Sequence, residues 1–344
     1  MKLHYQRASF IGLIFLIIGI SSFIIYKTNN DIVSNIKPIN ERNISEFHDR
    51  LMHLADYGIE DIKEIIQVGD NGDFDEGIRE LGNIIYDSEN KEYKLIYSGY
   101  KKEYEGNNVY IGYAHSSDGK EWIKEGKILN RASEDPYLIK TGKSYYLFVE
   151  DKEEVPFRNI RRFSSKDFIK WNDDGIVLET GDSCSWEDKD VSSPVVWIEN
   201  NMWYMLYEGR SEKNQKGAIG LAVSKDGLNW TKNSKNPILV ANNKKFFKEK
   251  HPQIKWATHL VPDDIIKLDE NYYLTVHAYN PKDGWLPGLI NSKDLTEFND
   301  ALDGPIPNLS KVKIKSPMFF QGTSQINIMT DTEKGICCSY QSEH

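Results

Sequence analysis

Residues 134–151, EDPYLIKTGKSYYLFVED, read as two short strands folded about Thr141-Gly142-Lys143. Strands of a hairpin run antiparallel, so the start of the first (Glu134, Asp135) and the end of the second (Glu150, Asp151) share one edge. The stretch therefore predicts a hairpin whose open end carries neighbouring carboxylates.

The pattern recurs along the chain. The strand YYLFVED (145–151) has counterparts in YKLIYSG (93–99), WYMLYEG (203–209) and YYLTVHA (272–278). Each follows a short apolar strand: NIIY (83–86), YLIK (137–140), VVWI (195–198) and DIIK (264–267). Each precedes a heptapeptide with Ser, then Asp two later, then an aromatic four after the Asp: SSDGKEW (116–122), SKDFIKW (165–171), SKDGLNW (224–230) and SKDLTEF (292–298). The closing aromatics, Trp122, Trp171, Trp230 and Phe298, lie 49, 59 and 68 residues apart. That period is too long for helical solenoids and near the length of a four-stranded propeller blade. The Asp of each heptapeptide is expected to bond turn amides, and the aromatic to pack between adjacent sheets. A last hairpin, INIMTDTEKGICCSY (326–340), supplies a fifth unit, expected to close by borrowing a strand from near Ile62 to Val68. The expected fold is all-β, a five-bladed β-propeller over residues 67–344.

Composition bounds the rest. Of the 344 residues, 39% are hydrophobic and 12% aromatic, enough for a packed core, and the aromatics lean to 19 Tyr and 8 Trp, which favours strands. A formal charge of −9 argues against a nucleic-acid partner, which needs a basic patch. Cys184, Cys337 and Cys338 form neither a disulfide framework nor a metal-spaced cluster, and His251, His259 and His277 lack zinc-helix spacing, so no metal site is expected. Residues 8–26 carry no charge and have the length of a membrane-spanning helix, with Lys2 and Arg7 ahead of them. The domain order expected is a cytoplasmic tail (1–7), a transmembrane anchor or uncleaved signal (8–26), a short stalk (27–66) and the propeller. This places a single-pass protein in the cell membrane with its propeller outside the cytoplasm.

Chain reversal then predicts the mouth. Residues at the starts of the inner strands and the ends of the second strands face one side. The units offer Arg79 and Glu80; Glu134, Asp135, Glu150 and Asp151; Glu187, Asp188, Asp190, Glu208 and Arg210; and His259, Asp263, Asp264 and His277. Glycoside hydrolysis needs two carboxyl groups across the scissile bond. Glu80, Asp135 and Asp190 are the candidate catalytic residues. Arg79, Glu134, Glu150, Glu187, Asp188, Glu208, Arg210, His259 and His277 are candidate substrate contacts. Asp135 stands out because Pro136 fixes the backbone beside it.

The stretches EDPYLIKTGKSYYLFVED, SSPVVWIENNMWYMLYEG and IGLAVSKDGLNW resemble the five-bladed propeller glycosidases related to glycoside hydrolase families 43, 32 and 130. The resemblance covers about 280 residues. It implies a base at the start of the first blade, a tuning Asp at the second and a Glu acid at the third. Asp135 matches the second. The first falls near Glu80, in Arg79-Glu80-Leu81-Gly82 rather than Asp-Pro, and at the third Ser192-Ser193-Pro194 replaces Glu-Gly-Pro. Acidity there comes only from Asp190 or the nearby Glu187 and Asp188. The resemblance permits a central calcium or sodium ion; no other cofactor is expected. Three readings stay open: a membrane-anchored glycosidase acting on an oligo- or polysaccharide, an inactive carbohydrate-binding or scaffold propeller of surface-polysaccharide assembly, and a glycoside phosphorylase with Arg79, Arg210 and His259 on phosphate.

Overall fold

A computed structural model describes residue 51 and residues 62–339, except 154–156, 214, 243–252, 303, 307–316, 322–325 and 333–334. The expected tail and anchor, and nearly all of the stalk, lie outside the described residues. Among the described residues no helix is long and apolar enough to cross a membrane.

The chain is an all-β propeller. Strand β1 (Ile62–Gln67) is followed by a first sheet of β2 (Gly77–Asp87), β3 (Glu92–Tyr100), β4 (Val109–Ser116) and β5 (Ile123–Lys127). The second sheet holds β6 (Ser133–Thr141), β7 (Ser144–Asp151), β8 (Ile160–Ser165) and β9 (Asn172–Leu178). The third holds β10 (Asp190–Glu199), β11 (Met202–Arg210), β12 (Ala218–Ser224) and β13 (Trp230–Lys232). A parallel pair, β14 (Val240–Ala241) and β15 (Gln253–Ile254), lies in the connection to the fourth sheet. That sheet is β16 (His259–Leu268), β17 (Asn271–Asn280), β18 (Gly284–Ser292) and β19 (Phe298–Asp300). The last sheet, in the order β1-β22-β21-β20, comprises β20 (Met318–Gln321), β21 (Ile326–Thr332) and β22 (Gly335–Ser339) closed by β1. Inner strands touch in turn, β2 on β6, β6 on β10, β10 on β16, β16 on β20 and β20 on β2.

The opening hairpin forms as read, with Thr141 paired to Ser144, Glu134 to Glu150 and Ser133 to Asp151. The borrowed strand also forms. It begins at Ile62, so the end of the expected stalk belongs to the propeller's last sheet.

The heptapeptides are one turn built four times. In each, the Asp carboxylate accepts two backbone amides: Asp118 from Lys120 and Glu121, Asp167 from Ile169 and Lys170, Asp226 from Leu228 and Asn229, Asp294 from Thr296 and Glu297. The next residue has positive φ in all four copies. Gly119 and Gly227 take it freely, whereas Phe168 and Leu295 offset the strain by burying their side chains at 7% and 5% exposure. Trp230 crosses between sheets to meet Phe148 edge-on at 6.1 Å. Core clusters fill the gaps between sheets, the largest spanning the second, third and fourth. Near the axis the inner strands come so close that a Cβ on Gly82 would meet the Pro136 carbonyl at 2.5 Å.

Candidate active site at the propeller mouth

A cleft opens on the axis, lined by Glu80 and Leu81 from β2, Asp135, Pro136 and Tyr137 from β6, Ser193 and Pro194 from β10, Val261, Pro262, Asp263 and His277 from the fourth sheet, and Met318 from β20. The inner strands reach it through bulges. Register shifts fall between Glu134 and Tyr137, between Ser192 and Val195, and between Pro262 and Asp264. A bulge re-aims a side chain out of the ladder. Asp135 and Ser193, each directly before a proline, adopt φ of 49° and 48°. Both the left-handed conformation and the following proline oppose this, so two adjacent strained residues mark the mouth. The strained pair is joined, because Ser193 Oγ donates to Asp135 Oδ2 at 2.6 Å. Asp135 Oδ1 is buried without a hydrogen-bond partner.

Facing them is a His–Asp pair, with His277 Nδ1 at 2.6 Å from Asp263 Oδ1. One residue further, Asp264 points to the opposite side and serves the scaffold. Its carboxylate accepts the Tyr137 hydroxyl at 2.7 Å and the Ile265 and Phe319 amides at 2.9 and 3.0 Å, tying three sheets beneath the cleft. Burial pushes this carboxyl up to about 6 against those hydrogen bonds.

Around the cleft runs a chain of ion pairs. Arg79 bridges Glu80 at 3.0 Å and Glu134 at 2.7 Å; Lys152 bridges Glu134 at 2.6 Å and Glu150 at 3.0 Å. Arg158 reaches Glu150 at 2.9 Å, and Arg210 reaches Asp190 at 3.0 Å and Glu208 at 3.6 Å. His259 Nε2 closes on Glu208 at 2.6 Å. Burial opposes ionisation of Glu134 and Glu208, but Arg79 and Lys152 at the first, and Arg210, His259 and the Ser192 hydroxyl at the second, hold both carboxyls below their ordinary range. For Glu150 burial wins over Lys152 and Arg158, aided by Glu134 and Asp135, and its pKa rises.

Of the residues named from sequence, Glu80, Asp135, Asp263 and His277 line the cleft, and Arg79 and Glu134 stand directly behind it. Glu150, Asp190, Glu208, Arg210 and His259 are in the ion-pair chain. Asp190 does not line the cleft; it is 3% exposed and held by Arg210. Glu187 pairs with Lys232 at 2.9 Å, and Asp188 accepts the Cys184 and Glu212 amides at 2.7 and 2.8 Å, so both hold loops together outside the cleft. The third sheet lends the cleft a hydroxyl and a proline but no carboxylate.

The carboxylate oxygens of Glu80, Glu134 and Asp135 approach within 4.8 Å of one another. They do not fit a dedicated cation cage, because Glu134 is already matched by Arg79, Lys152 and the Tyr104 hydroxyl at 2.8 Å. Sequence reading missed Trp285. It is 40% exposed and stands over His259 and His277, with both ring centroids at 5.0 Å. Its signal was a tryptophan in Gly284-Trp285, just after the turn that follows the His277 strand.

The model of glycosyl hydrolases family 43 matches residues 124–246. The fold is that of the propeller glycosidases. A solved glycoside hydrolase superposes with a TM-score of 0.63 at 14% identity, covering 85% of this chain and 94% of that one. Zg3597, a family 117 glycoside hydrolase produced by the marine bacterium Zobellia galactanivorans, gives 0.59 at 15% identity, covering 82% and 91%. A β-1,2-mannobiose phosphorylase from Listeria innocua gives 0.60 at 13% identity, covering 81% and 96%. Comparison with proteins of curated function gave no match. The sequence resemblance to the propeller glycosidases therefore holds at the level of the fold, with a family 43 match over residues 124–246 and identities of 13–15% to the solved structures.

Proposed function

We propose that this protein binds a glycan at the propeller mouth and acts on a glycosidic bond there, with Glu80 as the base or nucleophile and His277, held by Asp263, as the proton donor. The supporting observation is that Glu80 and the His277–Asp263 pair enter one cleft from the first and fourth sheets. The nearest oxygens of Glu80 and Asp135 lie within 4.8 Å, short of the ~6.5–9.5 Å that an inverting pair spans. In this reading the proton donor comes from across the cleft. Asp135, fixed by Ser193, is the acceptor for a sugar hydroxyl. In this reading the last sheet is the fifth blade, and the uncharged segment 8–26 anchors the protein with its propeller outside the cytoplasm. Protease shaving of intact cells tests the last point: digestion of the propeller supports it and protection overturns it.

A binding-only propeller is the second reading, favoured by Ser192-Ser193-Pro194 leaving the third sheet without an acid at the cleft. A phosphorylase gains no support from the geometry, because Arg79, Arg210 and His259 are each engaged with carboxylates. The test incubates the full-length protein with aryl glycosides and oligosaccharides, with and without phosphate. Turnover lost in Glu80→Gln and His277→Gln supports the enzyme. Glycan binding without turnover leaves the binding propeller, and phosphate-dependent turnover restores the phosphorylase.

A further inference from the structure

Resting on the carbohydrate reading, we infer that the mouth is a track for an extended neutral glycan of several rings, with Trp285, Phe157 and Tyr104 as its stacking stations. Six large hydrophobic side chains are exposed among the described residues. The aliphatic ones, Ile123, Ile169 and Leu228, lie in or beside the heptapeptide turns. Of the aromatic ones, at 39%, 49% and 40% exposure, Tyr104 and Phe157 lie on connections between the second and third strands of a sheet, and Trp285 is the second residue of β18, just past such a connection; these connections open on the mouth.

Each station adjoins the cleft or the chain of ion pairs around it. Tyr104 donates to Glu134 at 2.8 Å and packs under Arg79. Phe157 precedes Arg158, which grips Glu150 at 2.9 Å. Trp285 stands on His277, a cleft residue. Its aromatic neighbours His259, His277 and Tyr279 meet it at 69°, 60° and 69°, so none stacks flat on the indole. The indole is thus wedged in place with area left for a sugar ring, whose C–H face packs on an aromatic while its hydroxyls reach neighbouring ions.

The stations belong to the first, second and fourth sheets, so a ligand touching all of them crosses the cleft. A ligand that stacks on more than one of them carries a ring for each. Charge points to a neutral chain: Arg79, Lys152, Arg158 and Arg210 are each matched by carboxylates, leaving no block of cations to attract an acidic polymer.

The test is calorimetric titration of the full-length protein with linear gluco-, xylo-, arabino- and manno-oligosaccharides of increasing length, from the single sugar upward. The expected result is an affinity that climbs at least about tenfold from the single sugar to the longer chains of one series. This gain should survive about 0.5 M salt. It should shrink in Phe157→Ala and Trp285→Ala and persist in Ile169→Ser at the outer rim. Binding that does not change with length, or a gain untouched in both aromatic variants, overturns the track while leaving a sugar site. Binding only to acidic polymers, abolished by salt, overturns the neutral ligand. No binding to any glycan removes the carbohydrate reading itself.

Discussion

The first and third sheets share a frame and differ by one exchange. Ahead of β2 runs Gly69-Asp70, then Phe74-Asp75-Glu76; ahead of β10 runs Gly181-Asp182, then Trp186-Glu187-Asp188. In both loops the glycine amide donates to the carbonyl six residues on, at 2.7 and 3.0 Å. Phe74 packs on Tyr97 at 6.1 Å and Trp186 on Tyr207 at 6.0 Å. Asp75 meets Tyr97 at 2.8 Å and Lys124 at 2.6 Å, while Glu187 meets Tyr207 and, at 2.9 Å, Lys232. Glu76 and Asp188 each gather two loop amides. The exchange comes next along the chain. In the first sheet Glu80 lies opposite Ser98, and in the third Ser192 lies opposite Glu208. The acid has moved from the inner strand to its neighbour, where Arg210 and His259 neutralise it away from the cleft. What looked like three spare acids at the third blade are two loop clasps, Glu187 and Asp188, and one ion-pair member, Asp190.

The comparison can be broken at its strongest point first. Glu80→Gln should lower kcat by about 10²–10⁴ with the fold intact. Glu187→Gln should leave kcat per folded molecule unchanged, and equal losses in both variants would refute the division into site and clasp. Next, Glu208→Ala strips His259 of its carboxylate and leaves Arg210 with Asp190 alone, and should cost about 3–5 kcal/mol in chemical denaturation. Its counterpart Ser98→Ala removes only a hydroxyl donated to the Glu80 carbonyl at 3.3 Å and should cost about 1 kcal/mol.

The pH dependence sharpens the contrast between paired and unpaired acids. Glu134 and Glu208 have folded pKa values below the unfolded one, so their stabilisation is present above the unfolded value and is lost as pH falls through the folded values. Asp264 runs the other way: its pKa is raised from 3.8 to about 6, so its contribution is full below 3.8 and fades as pH rises through 6. Unfolding measured from about pH 4 to 7 should show that decline, on the order of 3 kcal/mol, in the parent and not in Asp264→Asn. The smallest effect is expected from Trp186→Phe, which copies the first loop into the third and should cost no more than about 1.5 kcal/mol by thermal melting.

The sequence carried the fold because the strand and turn signals are local. Four Ser–Asp–aromatic heptapeptides and the strands before them needed no knowledge of tertiary contacts. Even the closing strand near Ile62 was legible from the count of units. The site was legible only in part. Asp135 and Glu80 announced themselves by position, but spacing cannot tell an acid facing a cleft from one neutralised by an arginine brought in from another sheet. Asp263 and Asp264 are neighbours in sequence, yet one bonds His277 at the cleft and the other holds sheets together beneath it. The Gly-Asp loops before β2 and β10 were a readable second repeat, and aligning them would have removed Glu187 and Asp188 from the candidate substrate contacts.

The shared last sheet also settles how the molecule carries load. Inner strands start at the mouth and successive strands alternate, so β22 descends from it and β1, antiparallel to β22, climbs toward it from Ile62. Whatever precedes Ile62 joins the propeller on the base, and the mouth faces away from that attachment. Were the segment before Ile62 to act as the proposed anchor while the mouth held a polymer, the pull between them would act along the axis of β1. The β1–β22 ladder then resists in shear, with its hydrogen bonds strained together rather than peeled one by one.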